Sequence, residues 1–298
     1  AVLNAQDGLI KIASVASSGE VSVTGNDITT NSVNQFGKVQ LTIGSKLDTR
    51  GFTGGRMVIK AGQLTVSQSQ FLATTFGPTS GQGINIETTG NISIENGSFI
   101  VTGASAIPNT TDFSVGNAGD INVKSRGGNI TLKSGAKLLS QTLENTQGKS
   151  GNITVTASQG DITLNTASAI KSNIKGTGNA GAITLTAKNI SLTGAGNVID
   201  TGPQAIVSNG QLVGFATGNG GKITLNASNA ISIEGGKDTT TLADADDIKT
   251  CSVTCSTAGG FTAGAAGDIE VNTKTLTMNG VSELAAFSNS LTGAGGAI

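Results

Sequence analysis

Histidine, tryptophan and tyrosine are missing from these 298 residues, and proline (3), methionine (2) and cysteine (2) are scarce. Without histidine no Ser-His-Asp arrangement can exist, and the commonest proton carrier near neutral pH is gone. Without Trp and Tyr the usual platforms for sugar rings are gone too. Charge is also sparse. With 18 Lys and Arg against 19 Asp and Glu, net charge is -1 and the cations are dispersed. That leaves no electrostatic footprint for nucleic acid. No apolar run approaches the ~18 residues that a membrane helix needs. Glycine is plentiful, at 44 residues, but the low proline and the lack of a three-residue period exclude collagen. Regularly placed Ile, Leu and Val argue against disorder, because they provide apolar surface to bury.

What is present is a phrase that returns. Gly116-Asn117-Ala118-Gly119-Asp120-Ile121 is followed by Gly148-Lys149-Ser150-Gly151-Asn152-Ile153 and Gly178-Asn179-Ala180-Gly181-Ala182-Ile183. Further copies begin at Gly218 and Gly264, and a truncated one at Gly293. With a looser early member, the closing Ile falls at 84, 121, 153, 183, 223, 269 and 298, at intervals of 29 to 46 residues. Self-similarity at such periods means a stack of units, each touching only its neighbours.

Within each unit, branched apolar residues alternate with Thr, Ser and Asn, as in Ile130-Thr131-Leu132 and Ile162-Thr163-Leu164. That alternation is the mark of a half-buried strand. A second strand follows the first by 7 to 9 residues in pairs such as 121 and 130 or 183 and 190. A third apolar site comes later, at Ile100, Leu138, Ile170, Val198 and Leu284. Three short strands with Gly or Asn corners make one triangular turn, Gly and Asn being suited to positive φ. The fold expected is all-β: a right-handed parallel β-helix of about nine to ten three-stranded coils, forming three sheets at ~4.8 Å per coil. The left-handed form needs a six-residue hydrophobic period, which is not visible.

Residues 1–80 read as degenerate coils, with Glu20–Val23, Lys38–Leu41 and Arg56–Ile59 as eroded coil strands. Residues 81–298 read as regular coils with loop insertions, continuing beyond the chain end. Insertions are expected to collect after the second strand, around the third strand and its exit corner, and so to project from one face.

Few residues suggest chemistry. Cys251 and Cys255 sit in the longest insertion. Two sulfurs without imidazole make a poor zinc site. A local disulfide is the first reading and a pair of free thiols the second. Asp244, Asp246 and Asp247 share that insertion. They lack the spacing of a calcium loop and read as a solvated acidic loop. Outward Thr131, Thr154, Thr163, Thr184 and Thr224 are ordinary strand residues rather than an ice-binding array. Asn129-Ile130-Thr131, Asn152-Ile153-Thr154 and Asn189-Ile190-Ser191 match the glycosylation triplet. They read as by-products of the repeat in strand positions. Asp120, Asp161 and Asp268 recur at equivalent corners and read as turn formers rather than catalysts. No catalytic, cofactor-binding or metal-ligating residue is assigned, and no cofactor is expected.

The Gly-Asn-Ala-Gly phrases at 116–121 and 178–183, with the paired Ile-Thr-Leu strands, resemble the rod of bacterial filamentous-haemagglutinin-like exoproteins of two-partner secretion. The resemblance is strong over 81–298 and weaker over 1–80. It implies a non-enzymatic rod or stalk of a large secreted surface adhesin or extracellular fibre, serving adhesion, aggregation or biofilm formation. It implies location at the cell surface or in an extracellular fibre of a bacterium. The Asn-Pro motifs of that family's secretion domain are absent from this sequence. Expected partners are further coils of the same polypeptide or identical subunits end to end, and a glycan or cell-surface ligand reached through insertion loops. No nucleic acid and no membrane span are expected. Two other classes stand beside the rod: a filament subunit stacking head to tail, and a secreted carbohydrate-active β-helix enzyme. The latter would show two carboxylates from different coils about 5–10 Å apart in a cleft.

Overall fold

The computed structural model describes residues 1–106, 114–144, 146–208, 211–235, 246–251, 264–288 and 294–298. Within them the regular structure is all strand, without a helix. The chain opens with β1 (Val2–Asn4) and β2 (Leu9–Ala13), a hairpin of β3 (Glu20–Thr24) and β4 (Asp27–Asn31), then β5 (Lys38–Thr42) and β6 (Lys46–Asp48). Four regular rungs follow. They are β7 (Arg56–Ala61), β8 (Gln63–Ser67) and β9 (Gln70–Thr75); β10 (Gly83–Thr88), β11 (Ile92–Glu95) and β12 (Phe99–Ala104); β13 (Ile121–Ser125), β14 (Ile130–Lys133) and β15 (Lys137–Thr142); and β16 (Ile153–Ala157), β17 (Ile162–Asn165) and β18 (Ala169–Ile174). Next come β19 (Ile183–Thr193), β20 (Val198–Pro203), a small hairpin of β21 (Ala205–Ser208) and β22 (Gln211–Phe215), β23 (Ile223–Glu234) and β24 (Asp246–Cys251). The last described strands are β25 (Ile269–Asn272), β26 (Thr275–Asn279) and β27 (Ser282–Phe287).

The strands stack in long parallel sheets, the arrangement of a solenoid. One nine-stranded sheet runs β1-β6-β9-β12-β15-β18-β20-β24-β27 and holds the third strand of each rung. First and second strands share a single 14-stranded sheet rather than two separate ones. The join is at β19 and β23, where first and second strands fuse into one continuous strand. At β19 spacing accounts for it: Ile153 to Ile162 is nine residues, but Ile183 to Ile190 is seven, which leaves too little chain for a corner.

Identical positions lie directly over one another. Ile84, Ile121, Ile153, Ile183, Ile223 and Ile269 form one register column, and Ile92, Ile130, Ile162, Ile190 and Ile231 another. These side chains are buried and form one continuous core between the sheets. Their neighbours Thr154, Thr184 and Thr224 are half-buried on the outer face, as are Thr131 and Thr163. The outer columns mix Thr with Asn122, Glu270, Ser191 and Ser232, so no unbroken threonine array forms. On the outermost strands Leu3, Leu276 and Met278 are exposed.

Three assignments from spacing are corrected. First, Glu20–Thr24 is not a coil strand: β3 pairs antiparallel with β4 around a Gly25-Asn26 loop in which Gly25 takes a φ of 50°. Glycine at the first position of a two-residue hairpin loop is what that geometry asks for. This insertion lies between first and second strands, so insertions do not gather at one point of the rung. The β21–β22 hairpin does follow a third strand, as expected. Second, Ile199 rather than Val198 takes the inward column, in line with Ile170 and Ile248. The corner from Thr193 to Ile199 is one residue longer than that from Asn165 to Ile170, and Gly194 and Gly196 absorb the extra residue at φ 78°. Third, Asp246 and Asp247 are not in an acidic loop but begin β24, opposite Ser282 and Glu283.

Candidate functional site

The returning glycine phrase forms the corner between the third strand and the next rung. Its glycines stack on one another. A Cβ on Gly178 would collide with the carbonyl oxygen of Gly148, and one on Gly181 with that of Gly151. The same holds for Gly218 over Gly178 and Gly221 over Gly181. None of these glycines has positive φ. Glycine is therefore required here by close backbone approach, not by a left-handed conformation as the sequence reading supposed. Left-handed residues occupy the other corner, between second and third strands, where Gly97, Gly135 and even Thr166 and Ala167 have positive φ.

Side chains tie the glycine corner from outside. Asn117 Oδ1 accepts the Lys149 N–H at 2.8 Å, and Asn179 Oδ1 the Asn219 N–H at 3.0 Å. In a second column Asp120 Oδ1 accepts from Asn152 N–H at 2.7 Å, Asn152 Oδ1 from Ala182 N–H at 2.9 Å, and Asp268 Oδ1 from Ala297 N–H at 2.9 Å. Asp161 Oδ1 does the same for Asn189 N–H at 3.1 Å. The recurring aspartates thus cap backbone donors of the neighbouring rung, a stronger bond for being charge-assisted. Asn129 and Asn152 lie at corners just before β14 and β16 rather than in strands, and Asn189 lies inside β19.

Hydroxyls tie the corner from inside. Ser140 Oγ accepts the Gly151 N–H at 2.7 Å and donates to the Gly119 carbonyl at 3.3 Å. Ser172 Oγ accepts the Gly181 N–H at 3.0 Å and donates to the Gly151 carbonyl at 2.9 Å. Thr201 Oγ1 donates to the Gly221 carbonyl at 2.6 Å. Sequence reasoning missed this buried polar column. Its signal was legible: Thr102, Ser140, Ser172 and Thr201 each stand two residues after an inward Ile or Leu of the third strand.

The bare glycine floor leaves a polar trough of about 730 Å³ running along the rungs, flanked by Arg56, Asp120, Lys149 and Lys222. Asp120 is the one carboxylate among its described lining residues. The trough offers hydrogen-bond donors but no pair of carboxylates for acid–base work. A smaller hollow of about 360 Å³ lies on the outer face of the nine-stranded sheet, between β15, β18 and β20.

One charged group is held tightly. Asp48, 7% exposed, takes a two-pronged bond from Arg50, with Nε at 2.9 Å and Nη2 at 2.7 Å, and an ion pair from Lys46 at 2.7 Å. Burial pushes its pKa up, but the bonds from Arg50 and Lys46 outweigh burial and hold the carboxyl far below the usual range. A folded-state pKa below the unfolded value of ~3.9 gives stability that is complete above about pH 4 and lost as pH falls below it. Asp48→Asn is therefore expected to lower stability at pH 7 and to flatten the loss of stability between about pH 4 and pH 2. Urea titrations of both proteins across that range check it, and parallel curves would contradict it.

The disulfide candidate Cys251–Cys255 falls largely outside the described residues: Cys251 ends β24, and Cys255 and Asp244 are not described. Among the described residues no group of three or more His, Cys, Asp or Glu could hold a metal ion. No described helix is long and apolar enough to cross a membrane. No protein-family model, curated protein or solved structure matches the chain.

Proposed function

We propose that the chain is a rod segment, a right-handed parallel β-helix, of a secreted bacterial surface adhesin or extracellular fibre of the filamentous-haemagglutinin-like kind. The observation that carries the reading is the unbroken parallel ladder β2-β7-β10-β13-β16-β19-β23-β25, whose inward residues share one continuous core with the second and third strands of each rung. A right-handed hand is favoured because parallel strands are joined by right-handed crossovers in nearly all proteins. The ladder supports eight turns, with β1 and the segment at Ile298 belonging to partial turns on either side. At ~4.8 Å per turn its length is on the order of 40 Å. The polar trough over the glycine corner is bordered by side chains engaged in rung-to-rung bonds, which supports a structural rather than a catalytic role.

Small-angle scattering in solution is expected to fit a squat cylinder on the order of 40 Å tall, the height of eight turns. A molecular envelope that such a stack cannot fill would overturn the stacked reading. Immunogold labelling of the producing cells is expected on the outer surface, and label confined to the cytoplasm would overturn the secreted reading.

A further inference from the structure

We propose that two copies of this chain pair through β3, edge to edge and antiparallel, about a two-fold axis at Ser22. The inference goes beyond the adhesin reading and does not depend on it. It begins from the way the β3–β4 hairpin is seated on the stack. The loop and β4 are pinned down. Lys11 Nζ donates to the Gly25 carbonyl at 2.6 Å, Arg56 Nε to that of Asn26 at 2.8 Å, and Lys60 Nζ to that of Ile28 at 2.5 Å. Ile28 is 1% exposed, and Val58, on the outer face of β7 in register with Asn85, is buried as well. β3 has no such support. It pairs with β4 alone among the described residues, and its Val21 and Val23 are 38% and 61% exposed.

The pairing pattern shows what this free edge offers. Thr24 and Asp27 flank the two-residue loop. Residues in that position exchange both backbone bonds, and bonded pairs then alternate along the hairpin. The bonded pairs are therefore Thr24 with Asp27, Ser22 with Thr29 and Glu20 with Asn31. Ile28 agrees with this: its N–H donates to Asp27 Oδ1 at 2.7 Å and its carbonyl accepts Lys60, not the facing Val23. The N–H and C=O groups of Val21 and Val23 thus point away from β4. They form an unpaired edge, which is a template for a further strand. Neither lysine nor proline guards it, and Glu20 is its one charged residue. The occupant that fits is β3 of a second copy. An antiparallel pair centred on Ser22 sets Val21 against the second copy's Val23, and there both residues exchange their free backbone bonds. The exposed valines then cover one another across the seam. Glu20 meets the second copy's Thr24, so no like charges are opposed. The contact is isologous. It closes at two copies, because the far edge of β4 is already held by Lys60 and Asp27.

The test is cysteine cross-linking in a chain whose Cys251 and Cys255 are changed to Ser. Ser22→Cys is expected to give a disulfide-linked dimer under mild oxidation. Facing residues of a non-bonded antiparallel pair stand about 4.5 Å apart at Cα, within disulfide reach. Thr24→Cys is equally open to solvent but faces Glu20 of the second copy, and is expected to cross-link about tenfold more slowly. Sedimentation velocity of the unaltered chain is expected to shift towards twice the chain mass as concentration rises. Val21→Pro removes a donor from the free edge and no bond to β4. Ser22→Lys sets two ammonium groups face to face at the axis. Each is expected to weaken the dimer about tenfold. Ser22→Lys leaves the backbone of the hairpin as it is, so it keeps the fold even if Val21→Pro does not. No cross-linking of Ser22→Cys, or equal cross-linking of the two cysteine variants, overturns the pairing. A dimer unchanged in Ser22→Lys overturns it too, by placing the association on another surface.

Discussion

Ile183→Asp is expected to unfold the stack or to break it at that rung, while Thr184→Asp leaves it standing. Ile183 is fully buried, with Ile153 below it and Ile223 above. A carboxylate there has no cation to pair with and no water to reach, at a cost of several kcal/mol, on the order of 4 or more. Thr184 is the adjacent residue on the outer face, half-buried between Thr154 and Thr224. A change there should cost less than about 1 kcal/mol. Urea midpoints of the two variants measure the difference. Equal midpoints would mean that the inward and outward faces of β19 have been exchanged.

The second large effect is expected from the smallest substitution. Gly178→Ala adds one methyl group where the Gly148 carbonyl already stands. The obstacle is backbone on a neighbouring rung, so it cannot rotate away as a side chain would. A cost of about 3 kcal/mol is expected from overpacking. The control is Gly97→Ala. Gly97 has a φ of 71°, and a Cβ there would meet nothing within 4 Å, so only its left-handed backbone opposes the change. That cost is roughly 1–2 kcal/mol. If Gly97→Ala proves the more damaging, close stacking is not why the phrase repeats.

The contrast between these two glycines shows what could be read from the sequence. Ile121, Ile153 and Ile183 were legible as inward strand residues because a period of two has only two faces to choose from. The columns they form follow once the repeat is aligned. The reason for the glycines was not legible. Positive φ and close backbone approach select the same residue, and only the distance to the next rung separates them. Ile199 was misjudged in favour of Val198 because both are β-branched and adjacent, and a one-residue lengthening of the corner decides between them. The β3–β4 hairpin escaped because Val21-Ser22-Val23 alternates as any coil strand does, and pairing direction leaves no trace in alternation. The hollow over β18 could not be anticipated, since it is lined by residues from three rungs laid side by side.

The rung-to-rung bonds have a mechanical meaning. Backbone ladders, Asn and Asp caps and the Ser column all point along the stacking direction, each joining one rung to the next. Bending or compressing such a column loads many of these bonds at once, and the stack resists as a unit. Pulling on one end of the chain loads only the bonds of the outermost rung, which peels before its neighbour feels the force. About 30 residues are freed per rung, which is roughly 100 Å of extended chain. The same architecture is thus stiff as a spacer and yielding as a tether.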